Sequence, residues 1–290
     1  MRLVPSLWFG NIPPALKGKL AQTNRDRVAD LCTIYVACGQ KSHPKEEIAR
    51  ILGQLGDPRA SDVLIKDLES VWPSLPLIQY DAEIETLGSI KAKDAGDILL
   101  KIVRYNYSWS AWRIKEEAFV ALGKIGDERA LSDAAQNIGS GNDWYNDWYV
   151  EQGAMNYLTL IGNSAAKSIL MEKYQSDHRP ELALCLVQLG DTSVLPDIRS
   201  RLKSWLDDFA VHGWGGDWDF FYCVHALLLA NDTEAIPELS QALAVLKKDD
   251  AKTKEYIRDD TNGYSVKLLL DERKADTLVS DLEIFLKTHP

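Results

Sequence analysis

Leu-Gly-Gln-Leu-Gly-Asp at residues 52–57 recurs as Leu-Gly-Lys-Ile-Gly-Asp at 122–127 and as Leu-Val-Gln-Leu-Gly-Asp at 186–191. Weaker copies stand at 87–92, 158–163 and 227–232. The position before the aspartate falls at residues 56, 91, 126, 162, 190 and 231, with spacings of 35, 35, 36, 28 and 41. A phrase repeated at such intervals indicates stacked copies of one small structural unit.

Each copy predicts a helix, a tight turn and a second helix. One face of the third copy is apolar at the helical spacing i, i+3, i+4, i+7, at residues 118, 121, 122 and 125. Gly126 follows, and a glycine there can adopt the left-handed conformation that closes a helix. Pro196 and Pro237 stand five residues after the aspartates of their copies, which places them in the first turn of the second helix.

The phrase resembles the HEAT-like repeat of the phycobilisome-lyase type, in which Leu-Gly-x-Leu/Ile-Gly-Asp is followed by Pro-x-Ala and a second proline. The match is closest at 52–60 and 122–130, partial at 186–196 and 227–237, and weak from 87 and from 158. The resemblance implies an α-solenoid, which the periodicity also indicates by itself. It does not specify a function, because proteins with this repeat include chromophore lyases, scaffolds, chaperones and nucleic-acid enzymes.

We therefore predict one all-α domain over residues 1–290. It is an α-solenoid, coiled as a right-handed superhelix, of about six to seven HEAT-like helix pairs with divergent end caps. Residues 1–44 are predicted to form an N-terminal cap or divergent repeat, 45–246 the repeats, and 247–290 the C-terminal capping helices.

The location expected from the sequence is the cytoplasm. No stretch approaches the roughly 18 apolar residues that a membrane-spanning helix needs, and the N-terminus has no recognisable secretory leader. Cys32, Cys38, Cys185 and Cys223 lack Cys-x-x-Cys spacing. They are expected to be free thiols in apolar surroundings, with a disulfide or metal role as the alternative.

The charge distribution indicates the kind of partner. A net charge of −10 argues against nucleic acid, since binding to a phosphate backbone depends on a basic surface. No Lys or Arg lies between Arg129 and Lys167, or between Lys203 and Lys247. These two stretches would attract a cationic partner and speed its association.

All but one of the nine tryptophans lie in segments that join one repeat to the next. Because equivalent connectors of a solenoid project from one edge, we expect these segments to form a single ridge. Its carboxylates and aromatic faces suit Lys and Arg side chains, through salt bridges and cation–π contacts. The predicted partner-binding residues are Trp109, Trp112, Asp143, Trp144, Tyr145, Asp147, Trp148, Trp214, Asp217, Trp218 and Asp219.

The same residues have a structural alternative. Asp143 or Asp147 would cap a helix, and Trp148 would cover the end of the repeat stack.

The sequence contains no recognisable catalytic or metal-binding motif. The histidines are His43, His178, His212, His225 and His289. None forms a His-x-x-x-His or His-Glu pair, which argues against the zincin motif and the iron-binding motifs of HEAT-like hydroxylases. His225 is expected in the core. A phosphate loop and a nucleophile elbow are missing as well, so no cofactor and no metal are predicted and catalysis is disfavoured.

The leading hypothesis is a non-catalytic scaffold or inhibitor that binds a basic protein. An immunity protein that neutralises a bacterial toxin is one form, and an adaptor or assembly chaperone is another. The competing hypothesis, suggested by the repeat type, is a phycobilin lyase or tetrapyrrole-binding chaperone. A third is a small-molecule or sugar-binding module, since tryptophan platforms also stack on sugar rings. Neither a nucleic-acid nor a membrane partner is expected.

Overall fold

The computed structural model describes residues 26–38, 43–73, 80–105, 112–139, 146–212, 219–247 and 275–289. Within these ranges the chain forms fourteen α-helices, short 3₁₀ turns and no β-strand. The predicted all-α, helical-repeat fold class is confirmed. The helices belong to two compact units, Met1–Ile161 and Gly162–Pro290.

The described helices of the first unit pair up through the repeated phrase: α2 with α3, α4 with α5, and α6 with α7. The first helices of successive pairs, α2, α4, α6 and α8, pack side by side, as expected for stacked repeats. In chain order the helices are α1 (Arg27–Ala37), α2 (His43–Leu55), α3 (Ser61–Val71), α4 (Asp81–Ser89), α5 (Gly96–Arg104), α6 (Trp112–Ile125), α7 (Leu131–Asn137) and α8 (Asn146–Ile161).

The second unit begins with α9, which follows the fourth copy of the phrase in sequence, and continues with two pairs, α10 with α11 and α12 with α13. A terminal helix packs on α13. The helices are α9 (Ser164–Asp177), α10 (Pro180–Gln188), α11 (Leu195–His212), α12 (Asp219–Leu229), α13 (Ile236–Leu246) and α14 (Ala275–Thr288). Pro196 and Pro237 are the second residues of their helices, as predicted.

A left-handed residue closes the first helix in each of the six copies. All six anchor positions of the phrase have positive φ, including the two that are not glycine. The prediction made for Gly126 is therefore confirmed there and extends to the other copies. The φ angles are 67° at Gly56, 54° at Lys91, 79° at Gly126, 62° at Gly162, 77° at Gly190 and 54° at Asn231.

The aspartate of the phrase ends one helix and starts the next. The backbone N–H of Asp127 donates to the carbonyl of Leu122 at 3.0 Å, the bond that completes a Schellman cap. The Asp127 carboxylate accepts from the backbone N–H of Arg129 at 3.1 Å and so caps the following 3₁₀ turn. Asp191 and Asp232 make the same two kinds of bond.

The leucine and the first glycine of the phrase hold neighbouring first helices together. The leucine position is fully buried in every copy, at Leu52, Leu87, Leu122, Leu158, Leu186 and Leu227. A Cβ added at Gly88 would lie 2.8 Å from the Cα of Ala121, and one added at Gly123 would lie 2.9 Å from the Cβ of Leu160. A side chain at either position would force the helices apart.

Arginines that follow the phrase link repeats along the surface of the first unit. Arg129 pairs with Asp127 of its own turn at 2.6 Å and with Asp97 of the preceding repeat at 2.7 Å. Arg59 pairs in the same way with Asp57 at 2.6 Å and with Asp26. Solvent screens ion pairs as exposed as these, so they fix the geometry of the turns more than they add to stability.

Several smaller predictions are also resolved. Cys185 and Cys223 are buried, whereas Cys32 and Cys38 are half-buried, and all four are thiols rather than disulfides. His225 is buried, as expected. Among the described helices, none is long and apolar enough to cross a bilayer. Residues 1–25 and 248–274 of the predicted end caps lie outside the described residues.

Candidate functional site

Three aromatic rings meet where α6 and α8 begin, and we name Trp112, Trp148 and Tyr149 the aromatic cluster. Trp112 stacks on Tyr149 with ring centroids 3.9 Å apart and planes inclined by 24°. Trp148 meets the same tyrosine edge-on, with centroids 4.8 Å apart and planes at 80°. Both tryptophans are half-buried. Two of the predicted partner-binding residues thus lie in one cluster that spans neighbouring repeats.

The close packing of α6 and α8 holds the rings at stacking distance. One helical turn after Trp112 and Tyr149, a Cβ added at Gly153 would lie 2.7 Å from the Cα of Glu116. Only glycine allows this approach. The cluster is therefore set by the helix pair as a rigid unit.

A buried carboxyl lies one turn from the cluster on α6. Glu116 is 5% exposed, and its side chain leans towards the turn of Trp112, as helical side chains do. Among the described residues it has no hydrogen bond or ion pair. Burial raises the pKa of Glu116 to about 8, the charge of Glu117 adds to the rise, and Arg113 opposes it.

The surface beside Glu116 carries more acids than bases. Arg113 is held by Asp81 at 3.1 Å. Burial raises the pKa of Glu117 to about 7, with Glu85 adding to the rise. A cation brought next to these carboxyls would favour their charged forms. The groups that interact here are Asp81, Glu85, Arg113, Glu116, Glu117 and Lys124.

A second aromatic group lies in the second unit. Trp205 stacks on Phe209 with centroids 5.3 Å apart and leans on Phe220 at 4.3 Å. Asp219, a predicted partner-binding residue, is the first residue of α12 and pairs with Arg201 at 3.4 Å. This carboxylate already has a cation of its own chain beside it.

Most of the predicted ridge lies outside the described residues. These residues are Trp109, Asp143, Trp144, Tyr145, Trp214, Asp217 and Trp218. Asp147 lies in the first turn of α8, but its side chain is also outside the description.

A different surface surrounds the connectors at Trp72 and Tyr105. Their rings meet edge-on with centroids 5.1 Å apart, beside a groove of about 480 Å³. The groove is lined by Trp72, Asp97, Leu100, Lys101, Arg104, Tyr105 and Arg129. Three of these residues, Lys101, Arg104 and Arg129, are cations. The surroundings of this aromatic connector are therefore not purely acidic, a difference that the sequence did not indicate.

Sequence reasoning missed two members of the site, Tyr149 and Glu116. Tyr149 follows Trp148 directly, but its role as the ring between two repeats depends on the contact of α6 with α8. Glu116 stands four residues after Trp112, so helical spacing could have placed it on the same face. Nothing in the sequence shows that it is buried without a partner.

Within the described ranges, no group of three or more His, Cys, Asp or Glu side chains is arranged to hold a metal ion.

Comparisons with known proteins agree with the repeat. The family model for the PBS lyase HEAT-like repeat matches residues 44–68, which span most of α2 and α3. No curated protein matches the sequence. A solved structure of human deoxyhypusine hydroxylase in complex with glycerol is 16% identical. That match covers 93% of this chain and 95% of the hydroxylase chain with a TM-score of 0.30, which is too low to support a conclusion about fold or activity.

The matched repeat lies in one of the two copies of the phrase that match the repeat most closely in sequence, and the described helices repeat its helix, turn and helix. The chain is an all-α helical-repeat protein with a HEAT-like repeat at residues 44–68.

Proposed function

We propose that this helical-repeat scaffold binds a basic protein partner through the aromatic cluster and the acidic connectors beside it. The observation that carries the proposal is the aromatic cluster itself, in which rings from consecutive repeats stack at 3.9 Å and 4.8 Å. Half-buried tryptophans in a rigid setting are typical of residues that dominate the energy of an interface.

The charge around the cluster selects a cationic partner. Helix α8 lies in the stretch between Arg129 and Lys167, which has no basic residue. An Arg or Lys side chain placed over a tryptophan face gains about 0.5–2 kcal/mol, more when it is desolvated. The partner's charge would also be attracted over a distance, so association should be fast at low salt.

An immunity protein for a cationic toxin is one form of this function, and an adaptor for a basic protein is another. Both require the same surface chemistry, because both require the chain to bind and hold a positively charged face.

The proposal is tested by titrating a fluorescently labelled arginine-rich peptide with the chain and following anisotropy. We expect Trp148→Leu to weaken binding by about 5- to 30-fold, equivalent to about 1–2 kcal/mol. Trp148→Phe should retain most of the affinity, since a ring remains. Affinity should fall steeply as salt rises.

The matched control is Trp72→Leu, which removes a tryptophan that lies beside Lys101 and Arg104. This change should leave peptide binding unaltered. Equal losses for Trp72→Leu and Trp148→Leu, or preferential binding of a neutral oligosaccharide without salt dependence, would contradict the proposal.

A further inference from the structure

A cluster of titratable side chains lies buried at the beginning of the first unit, away from the aromatic cluster. Four described helices or their ends contribute to it. Tyr35 and Glu83 are almost fully buried, Lys45 and Tyr80 are buried as well, and Asp67 is partly buried. The members are Tyr35 of α1, Lys45 of α2, Asp67 of α3, Tyr80 just before α4, and Glu83 of α4.

The Tyr35 hydroxyl lies between two carboxyl groups. Its oxygen is 2.7 Å from Oδ2 of Asp67 and 2.8 Å from Oε1 of Glu83. Both distances are those of good O–H···O hydrogen bonds. Lys45 completes the arrangement, with its Nζ 2.7 Å from Oδ1 of Asp67 and 4.7 Å from the centre of the Tyr35 ring.

The number of hydrogens available for these two contacts determines how many of the three groups, Tyr35, Asp67 and Glu83, are protonated. A phenol carries one O–H hydrogen, and an ionised carboxylate carries none. If both carboxyls were ionised, one hydrogen would have to serve two short contacts, and one of them would set lone pairs against each other in a buried site. Two bonds therefore require a second proton, held by one of the carboxyls.

The environment identifies which carboxyl holds the proton. Asp67 accepts a hydrogen bond from the Lys45 ammonium at 2.7 Å, so a negative charge on this carboxyl has a cation beside it. Glu83 is 2% exposed, and its second oxygen, Oε2, has no hydrogen-bond partner among the described residues. An isolated charge there would be costly.

We infer that Glu83 is a proton-binding site: its carboxylic acid donates to Tyr35, and Tyr35 donates to Asp67. The bound proton fastens α1 to α3 and α4 through one continuous chain of hydrogen bonds. Removing it leaves two carboxylates competing for the single Tyr35 hydrogen, so the attachment of α1 weakens.

The electrostatics of the site agree with this geometry. Burial raises the pKa of Glu83 to about 7, against the lowering effects of the Tyr35 hydrogen bond and the Lys45 charge, while Asp67 adds to the rise. Burial likewise raises the pKa of Tyr80, the remaining group that faces the site, to about 12. Tyr80 therefore stays neutral while Glu83 titrates.

The sign of the pH effect follows from these values. The folded state holds the Glu83 proton more tightly than the unfolded chain, whose ordinary pKa is 4.5. Stability is fully present below the unfolded pKa and is lost as pH rises through the folded pKa. Linkage predicts that the Glu83 contribution raises the unfolding equilibrium constant about tenfold between about pH 6 and pH 8.

The test is infrared difference spectroscopy of the protein between pH 6 and pH 8, with Glu83→Gln for assignment. We expect a protonated-carboxyl C=O band at pH 6 that disappears with a midpoint near 7 and is missing from Glu83→Gln. Glu172→Gln, at an exposed position on α9, should leave the band unchanged. Because Glu116 and Glu117 also titrate here, the evidence is the difference between wild type and Glu83→Gln.

Hydrogen exchange of α1 supplies the second readout, and it does not depend on assigning a band. After correction for intrinsic rates, wild-type α1 should lose protection above neutral pH, whereas α1 in Glu83→Gln should not, because the amide still donates to Tyr35. A Glu83 midpoint close to that of an ordinary exposed glutamate, or α1 protection that is equally pH-dependent in both proteins, would overturn the inference.

Discussion

The left-handed residue at the end of each first helix is the smallest feature on which the repeat depends. Glycine adopts this conformation without a Cβ clash, whereas in other residues it costs about 1–2 kcal/mol. Lys91 and Asn231 nonetheless adopt it, with φ of 54° each. The strain is smaller for asparagine, which tolerates this region better. The repeat therefore keeps its geometry where the glycine is lost.

Lys91→Gly should accordingly stabilise the protein. Removing the Cβ clash outweighs the extra entropy that glycine gives the unfolded chain, and we expect a net gain of about 0.5–1 kcal/mol in the free energy of unfolding. Urea denaturation measures it. Asn231→Gly should gain less, and Gly126→Lys should lose stability. A loss for Lys91→Gly would show that Lys91 makes a contact that outweighs its strain.

The sequence was most informative at these single positions. The spacing of the phrase alone puts Lys91 and Asn231 in register with the glycines, and their φ angles agree. The roles of Tyr35 and Glu83 could not be derived in this way, because their contact joins residues 48 apart in sequence. Nothing in the local pattern of either residue indicates the other.

At the scale of helices, the contact of α6 with α8 positions the aromatic cluster. Glycines face this contact from both sides, Gly123 from α6 and Gly153 from α8. The sequence shows that the first glycine of the phrase recurs. It does not show why glycine is required, because periodicity indicates which helix face is buried but not how closely two backbones approach.

Gly123→Ala tests this contact. The new Cβ would lie 2.9 Å from the Cβ of Leu160 and 3.2 Å from the Cα of Tyr157. We expect a loss of about 1–3 kcal/mol in the free energy of unfolding, since overpacking forces backbone shifts. Thermal and urea denaturation measure the loss.

A second substitution separates the effect of the helix contact on stability from the effect of alanine's higher helix propensity. Leu160→Ala removes the Leu160 Cδ1, which would also lie 2.9 Å from the new Cβ, and keeps the Leu160 Cβ. Leu160 is 48% exposed, so Leu160→Ala alone should cost little, and it should recover the part of the loss that comes from Cδ1. A double-mutant cycle quantifies that coupling. Additive effects would show that the Leu160 side chain beyond Cβ takes no part in the clash.

For the whole molecule, composition and periodicity predicted the helical-repeat class, which the described residues confirm. They did not indicate how the connectors differ from one another. The described connectors differ from one another, with cations beside Trp72 and carboxyls near Trp112. The cations beside Trp72 and the carboxyls near Trp112 come from helices that are separated in sequence and adjacent in the fold. A ridge defined from the sequence alone therefore combines a basic surface with an acidic one.

The central claim is that the phrase builds the scaffold and the acidic, aromatic connectors bind the partner. The most direct measurement compares two variants of equal net charge. One changes Asp143, Asp147, Asp217 and Asp219 to Asn. The other changes four exposed acids elsewhere, Asp62, Glu69, Asp94 and Glu172, to their amides.

Both variants are measured for melting temperature and for affinity to the arginine-rich peptide. The account predicts that the connector variant loses at least about tenfold in affinity with a nearly unchanged melting temperature, and that the control variant loses much less affinity. Marked unfolding of the connector variant would show that these aspartates are helix caps, and equal affinities would show that the connectors are not the binding surface; either result contradicts the claim.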